Sequence, residues 1–303
     1  MDTRKLRMLA ALERLGTIAA VARELHLTPP GVSMQLAALE REVGLPLTER
    51  HGRTLALTAA GVLLARHGHD IVDRLSLAEM EVAALRDGAA GTYRLAAFPS
   101  AARTLVADAW RGILDDPATG IRLTLLELEP QDALPALAAG DVDLAVTHAY
   151  SNMTGVVGDD FDAQQVGSEP VWLAVREYVG DTADLRDFAT RDWVVPHRQW
   201  ACHEMVQRAC GLAGFEPRAV AEATDFSAIL ALVAAGVGVA LVPQLTVAAV
   251  PEGVRMVPLA DPVWRHDFVV TRRVSAADPG IATLRALLAA SAARILPAIP
   301  ALA

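Results

Sequence analysis

The stretch from residue 16 to 61, GTIAAVARELHLTPPGVSMQLAALEREVGLPLTERHGRTLALTAAG, constrains this chain more than any other. Two short segments with apolar residues at helical spacing meet at a tight turn around His26 and Leu27. A second turn follows, carrying Arg50, Gly52 and Arg53 between two short apolar runs. Helix, tight turn, helix and basic turn make the pattern of a winged helix-turn-helix, which presents one helix to the DNA major groove.

A first helix is predicted over residues 3–15. Thr17 caps a second, which turns Ala22 and Leu25 inward, and Thr28 caps a third. Pro29 is tolerated at the first position of that third helix, where an N–H would be unsatisfied anyway. Val32, Leu36 and Leu39 stand at i, i+4 and i+7 and form its packing stripe. The opposite face carries Pro29, Pro30, Ser33, Met34 and Ala37, with Gln35 toward its edge. Ser33 can bond to a base edge or a phosphate, and Gln35 can reach either. Pro29, Pro30 and Met34 offer apolar contact, for instance to a thymine methyl. In the wing, Arg50 and Arg53 are candidate phosphate or minor-groove contacts and Thr54 a weaker one. The competing reading of the two arginines is a pair of solvated turn charges.

These residues resemble the LysR-type transcriptional regulators. The resemblance rests on Gly16, Ala20, Ala22, Leu25, Thr28, Pro30, Val32, Ser33, Gln35, Leu36, Leu39, Glu40, Gly44, Leu47, Arg50, Arg53, Leu57, Thr58, Ala60 and Gly61, which agree without gaps. Pro29, Gly31, Met34 and Thr48 depart from the commonest family choices. An arginine at position 34 can bind guanine through two hydrogen bonds; methionine cannot.

Charge is distributed to match. The chain of 303 residues carries a net charge of −9, which taken whole suits no DNA binder. Residues 1–58, however, hold eight basic and six acidic residues, and the remainder 19 basic and 30 acidic. A slightly basic head on an acidic body implies modest phosphate affinity per chain, so tight binding needs two or more heads.

Thr58 can cap a long helix ending near residues 86–88. Small or apolar residues at Leu57, Gly61, Leu64, Gly68, Ile71, Leu75, Ala78, Val82 and Leu85 alternate in steps of four and three, which is heptad spacing. Such a helix spans about 45 Å. Its stripe either pairs with a second chain, Gly61 and Gly68 allowing close approach, or packs on the head of its own chain. The candidate dimer seam is Leu64, Gly68, Ile71, Leu75, Ala78, Val82 and Leu85. Family resemblance implies a homodimer through this helix, often assembled into a homotetramer, reading an interrupted inverted repeat in promoter DNA. RNA polymerase is a further partner on that basis.

From Thr92 the text changes to alternating strands and helices. Strands are predicted at 93–98, 121–127, 144–147, 171–175, 193–196, 220–223, 239–242 and 266–271. Helices fall at 100–114, 131–139, 202–213, 225–235 and 279–295. This is α/β organisation, expected with mostly parallel sheets. The resemblance implies a two-lobed, periplasmic-binding-protein-like effector domain. Its domains are then 1–58 for the head, 59–90 for linker and hinge, and 91–303 for the body. Lobe one covers about 92–165 plus 268–303, and lobe two about 166–267.

Ligands of open α/β sheets bind beyond the carboxyl ends of strands, near helix N-termini. That rule selects Ser100, Ala101 and Ala102, whose amides with the Ser100 hydroxyl can hold a carboxylate. It also selects Gln131, Thr147 and His148, then Pro196, His197, Trp200, Thr224, Asp225 and Phe226 from lobe two. Ser100 and Thr224 can equally be helix caps, Asp225 a first-turn residue, and the two histidines surface loop residues. Trp200 has the character of a cleft wall. The expected effector is small, and anionic or aromatic.

Three other classes compete. A thiol-based redox sensor would use Cys202 and Cys210, but eight residues along one helix set them about 12 Å apart, too far to bridge. An enzyme lacks support: no G-x-S-x-G, P-loop or H-E-x-x-H spacing occurs, and neither cofactor nor metal is expected. A solute receptor fits the body but not the fused head. The apolar run 228–243 is too short to span a bilayer, which takes roughly 20 residues. With no apparent signal peptide, a cytoplasmic protein without membrane contact is expected.

Overall fold

A computed structural model describes residues 2–51, 54–87, 91–153, 158, 160–177, 180–247, 250–275 and 278–296. Helix α1 (Thr3–Leu15) is opened by Asp2, whose carboxylate accepts from Arg4 N, and closed by Gly16 in the left-handed region. α2 (Ile18–Glu24) is capped by Thr17 and α3 (Pro29–Val43) by Thr28, each hydroxyl accepting a first-turn amide. Between them His26 takes φ +53°, the only non-glycine residue with positive φ among those described. There Leu27 N donates back to Ala22 O at 2.8 Å and sets the angle between the helices. Strands β1 (Thr48–His51) and β2 (Thr54–Leu57) pair antiparallel as the wing. Val21, Val32 and Leu39 are fully buried with Leu9 and Leu47 in the head's core.

The long helix α4 (Ala59–Asp87) follows, with Thr58 Oγ1 accepting from Gly61 N at 3.0 Å. Its first half packs on the head. A Cβ at Gly61 would lie 2.0 Å from the Leu47 carbonyl oxygen, and one at Gly68 would lie 3.3 Å from the Leu6 carbonyl oxygen. Ala65 is fully buried and Leu64 packs beside it. The bare faces of the two glycines are therefore filled within the chain, which corrects the expectation that they admit a partner helix. Beyond them Ile71, Leu75 and Val82 are 40%, 46% and 66% exposed. Ala78 is also exposed, and the side chain of Leu85 lies outside the described residues.

The body contains β3 (Gly91–Ala97), α5 (Pro99–Ala101), a π-helical turn at Ala102–Val106, α6 (Ala107–Asp115), β4 (Ile121–Glu127), α7 (Pro130–Ala139) and β5 (Leu144–Tyr150). It continues with β6 (Phe161–Val175), β7 (Asp192–Pro196), α8 (Ala201–Leu212), β8 (Arg218–Ala223), α9 (Phe226–Ala234) and β9 (Ala240–Pro243). It ends with β10 (Arg255–Pro258), β11 (Trp264–Arg272) and α10 (Pro279–Ile295).

Two strands join its two lobes. The first part of β6 pairs antiparallel with β11, and its last residues pair antiparallel with β9 and β10. β11 also pairs antiparallel with β5, whereas β3 runs parallel to β4 and β5, and β7 parallel to β8. The expectation of mostly parallel sheets is thus corrected. β11 lies between β5 and β6 and runs opposite to both, which places antiparallel pairs in the middle of the sheet, and β6 continues past β11 from one lobe to the other. Separate cores lie under the two lobes, one around Leu95, Leu105 and Ile281, the other around Trp193, Met205 and Ile229. No helix among the described residues is long and apolar enough to cross a membrane.

Candidate functional site

In the head, the exposed side of α3 carries Pro29, Pro30, Ser33, Met34, Gln35 and Ala37, while Val32, Leu36 and Leu39 are buried. Met34 is 66% exposed at the centre of that face. Ser33 donates its hydroxyl to Pro29 O at 3.1 Å, which leaves its oxygen lone pairs outward as acceptors. Thr28 is engaged as the helix cap, accepting from Gly31 N at 3.2 Å. Arg50 and Thr54 occupy facing wing strands, with their side chains outside the described residues; Arg53 lies wholly outside them.

Glu40 is the head residue that a reading of surface chemistry overlooks. One of its carboxylate oxygens accepts from Leu47 N, Thr48 N and Thr48 Oγ1, each at 2.9 Å, and so ties α3 to the start of the wing. Partial burial works against its ionisation, but the hydrogen bonds from Thr48 and Leu47 outweigh it and hold the carboxyl below its ordinary range.

In the body, a narrow cavity of about 30 Å³ lies between the lobes, room for about two waters. It brings together six of the residues named from sequence: Ser100 and His148 from lobe one, and Trp200, Thr224, Asp225 and Phe226 from lobe two. Phe98, Pro99, Arg103, Glu129, Cys202, Thr246 and Arg265 complete the lining. The other named residues stand elsewhere. Gln131 is exposed on α7, and Thr147 is buried in β5. Ala101 and Ala102 pack into the lobe-one core. Pro196 is buried, its carbonyl 2.9 Å from His203 Nδ1, and His197 Nε2 is 3.6 Å from Glu222. Asp225 caps α9 through Ser227 N at 3.0 Å.

Arg265 is the centre of the site. Its Nε donates to Glu169 Oε1 at 2.7 Å, its Nη2 to Ser100 Oγ at 2.9 Å, and its guanidinium carbon lies 4.8 Å from the Phe98 ring centroid. Ser100 Oγ thus accepts from Arg265, and its O–H stays able to donate. The amide of Leu245 donates to the other Glu169 oxygen. Arg265 and Glu169 sit on the two crossing strands, so this buried pair ties the hinge to the cavity floor.

Asp267, two residues along β11, lies 3.7 Å from Arg265 Nε, and neither of its oxygens has a hydrogen-bond partner among the described residues. Burial pushes its carboxyl well above the usual range and the neighbouring Glu169 adds to that, with Arg265 opposing. One guanidinium cannot neutralise two carboxylates. Burial raises the carboxyl of Glu169 as well, but there Arg265 and the Leu245 amide oppose the rise, whereas Asp267 has no hydrogen bond among the described residues to oppose it.

His148 closes the site. Its ring stands edge-on to Phe98 and Tyr150, its side chain is 1% exposed, and neither ring nitrogen has a hydrogen-bond partner among the described residues. Glu129 Oε2 is 3.8 Å from Nε2, beyond hydrogen-bonding reach. Burial drives the imidazole down to about 4, with Glu129 opposing and Arg265 assisting, so the ring is neutral at ordinary pH.

Both cysteines are buried and unbridged. Cys202 Sγ is 3.0 Å from the Tyr150 hydroxyl, and Cys210 lies in the lobe-two core. Burial pushes the thiols up to about 11 and about 12, the opposite of a peroxide-reactive thiolate.

The sequence signal for Arg265 and Asp267 is slight. They alternate on one face of W-R-H-D-F, a pattern that reads as an exposed strand end. Glu169 is masked by Gln164, Gln165, Gly167 and Pro170, which make its strand look like a loop.

Comparisons with known proteins agree with this architecture. The family model described as "LysR substrate binding domain" matches residues 86–293. That described as "Bacterial regulatory helix-turn-helix protein, lysR family" matches residues 3–62. The HTH-type transcriptional regulator TfdS of Cupriavidus pinatubonensis is 30% identical over 86% of this chain and 88% of its own. A full-length OxyR variant from Pseudomonas aeruginosa superposes with a TM-score of 0.67 at 18% identity, covering 98% of this chain and 95% of that one. CbnR complexed with its target DNA gives 0.54 at 23%, covering 96% and 100%. At such identities the two structures speak for the fold alone.

Proposed function

The chain belongs to the LysR family of DNA-binding transcriptional regulators, and from that premise we propose that it couples a small effector in the inter-lobe cavity to the way paired heads hold promoter DNA. The observation that carries this reading is the cavity itself. Side chains from both lobes converge there on a buried arginine that belongs to one of the two crossing strands. The expected effector is a small anionic or aromatic molecule, and Phe98, Trp200 and Phe226 supply aromatic walls. With room for only about two waters, a ligand has to displace one lobe's lining from the other's.

Such a displacement acts on β6 and β11, and through them on the packing of two bodies. Head spacing and DNA bending then change. The effector shifts this balance only by its preference for one arrangement. Chain pairing through the exposed part of α4, at Ile71, Leu75 and Val82, completes the scheme. Ser33, Met34, Gln35 and the wing arginines read one half of an inverted repeat, and the second chain reads the other.

The test is a titration of the purified protein on its own upstream DNA and on scrambled duplex at several salt concentrations. Ser33→Ala is expected to weaken the upstream fragment more than the scrambled one. Arg53→Ala is expected to weaken both and to lower the salt slope by about one. Equal losses for both variants on both DNAs would contradict these roles.

A further inference from the structure

The cavity lining carries two carboxylates from opposite lobes. Glu129 precedes α7, its backbone carbonyl accepting from the first turn while its side chain makes no cap bond, and its Oε2 lies 3.8 Å from His148 Nε2. Asp225 begins α9 across the cleft. Among the described residues neither is paired with a lysine or arginine. The cavity's own arginines are engaged otherwise, Arg265 with Glu169 and Arg103 Nη2 with the Thr246 carbonyl at 3.3 Å. A dicarboxylate placed here meets two like charges in a confined space.

The cavity also has a side suited to an anion. No side chain caps the first turn of α8, whose cap residue Trp200 and second residue Cys202 both line the cavity, as does Arg103. His148, buried and without a hydrogen-bond partner, lines the same space as a neutral group able to donate from one nitrogen and accept at the other. Buried polar groups normally have a partner, and a polar ligand in this cavity would supply one to His148.

We propose that the effector is an α-amino acid, its ammonium group held between Glu129 and Asp225 beside His148 and its carboxylate at the first turn of α8 and Arg103. This rests on the inter-lobe cavity being the effector site, and it narrows the ligand to one that carries both charges.

The experiment is isothermal titration of the full-length protein with the twenty common L-α-amino acids and with the deaminated carboxylic acid of each. A set of dicarboxylic and aromatic acids is included. At least one amino acid is expected to bind, and its deaminated counterpart to bind about ten- to hundredfold more weakly. Glu129→Gln and Asp225→Asn each reduce that discrimination about tenfold; asparagine preserves the cap on α9. Thermal midpoints verify that both variants are folded. Deaminated or dicarboxylic acids binding as tightly as amino acids, or discrimination surviving both substitutions, overturns the proposal and leaves the cavity as an effector site. Heat from none of the compounds overturns both.

Discussion

The residues that matter most in the body are charged and hidden. Arg265, Glu169 and Asp267 are each at most 1% exposed, in a protein whose other ion pairs are largely at the surface. Breaking such a pair on one side leaves an uncompensated buried charge. Arg265→Ala is therefore expected to lower stability by about 3–5 kcal/mol. The double variant Arg265→Met with Glu169→Leu recovers most of that loss, and urea unfolding measures both. A single variant within about 1 kcal/mol of the parent (a margin well inside the range for a lost buried pair) would contradict the arrangement.

His148 sets a pH dependence of definite sign. Its imidazole is depressed to about 4 when folded and sits near 6.5 when unfolded. The unfolded chain thus takes up the proton first. The stability this contributes is complete above about pH 6.5 and is lost as pH falls toward 4, on the order of 3 kcal/mol in all. His148→Asn flattens the profile of thermal midpoint against pH over that window; parallel profiles would show that the ring is not buried as described.

Elements show how much can be seen in sequence. The head is legible because its determinants are local. Thr17 and Thr28 cap the helices they precede, Gly16 and Gly44 end the helices they follow, and Val32, Leu36 and Leu39 fall on one buried face. The crossing strands are legible only in part: 171–175 and 266–271 read as strands, but the pairing of β6 with β11 does not. Each is stabilised by partners far away in the chain, Arg265 with Glu169 across 96 residues, and sequence periodicity carries no such information. The cavity is half legible: helix starts after strands point to Ser100, Trp200 and Asp225, and the end of a short buried strand to His148, which lies inside β5, but nothing points to the arginine that organises them.

The long helix α4 joins two tasks along its length, and each has its own test. At Gly61 an added methyl meets the Leu47 carbonyl, so Gly61→Ala should loosen the junction of head and linker by about 3 kcal/mol. Faster hydrogen exchange across residues 3–57 than across the body is the expected signature. Farther along, Leu75→Glu with Val82→Glu puts two charges into the exposed apolar stretch. Sedimentation velocity is expected to show this variant as a monomer, its midpoint unchanged for the body. A dimer that survives would move the seam off this helix.

Across the whole molecule, a weakly basic head and an acidic body divide the work. The head supplies few phosphate contacts, so specificity has to come from two of them held at a fixed separation. The body's two lobes are joined by strands that also carry the buried arginine pair. In the chain itself the head touches lobe one through Arg14 and Asp141 at 3.3 Å, an exposed pair that contributes little energy but lies where the two parts meet. On this reading, DNA is held by paired chains. Sedimentation equilibrium of the protein on a fragment from upstream of its own gene tests it most directly. An even number of chains per fragment is expected, and no such complex on scrambled duplex at the same ionic strength. A single chain bound per fragment, with equal affinity for both duplexes, would contradict it.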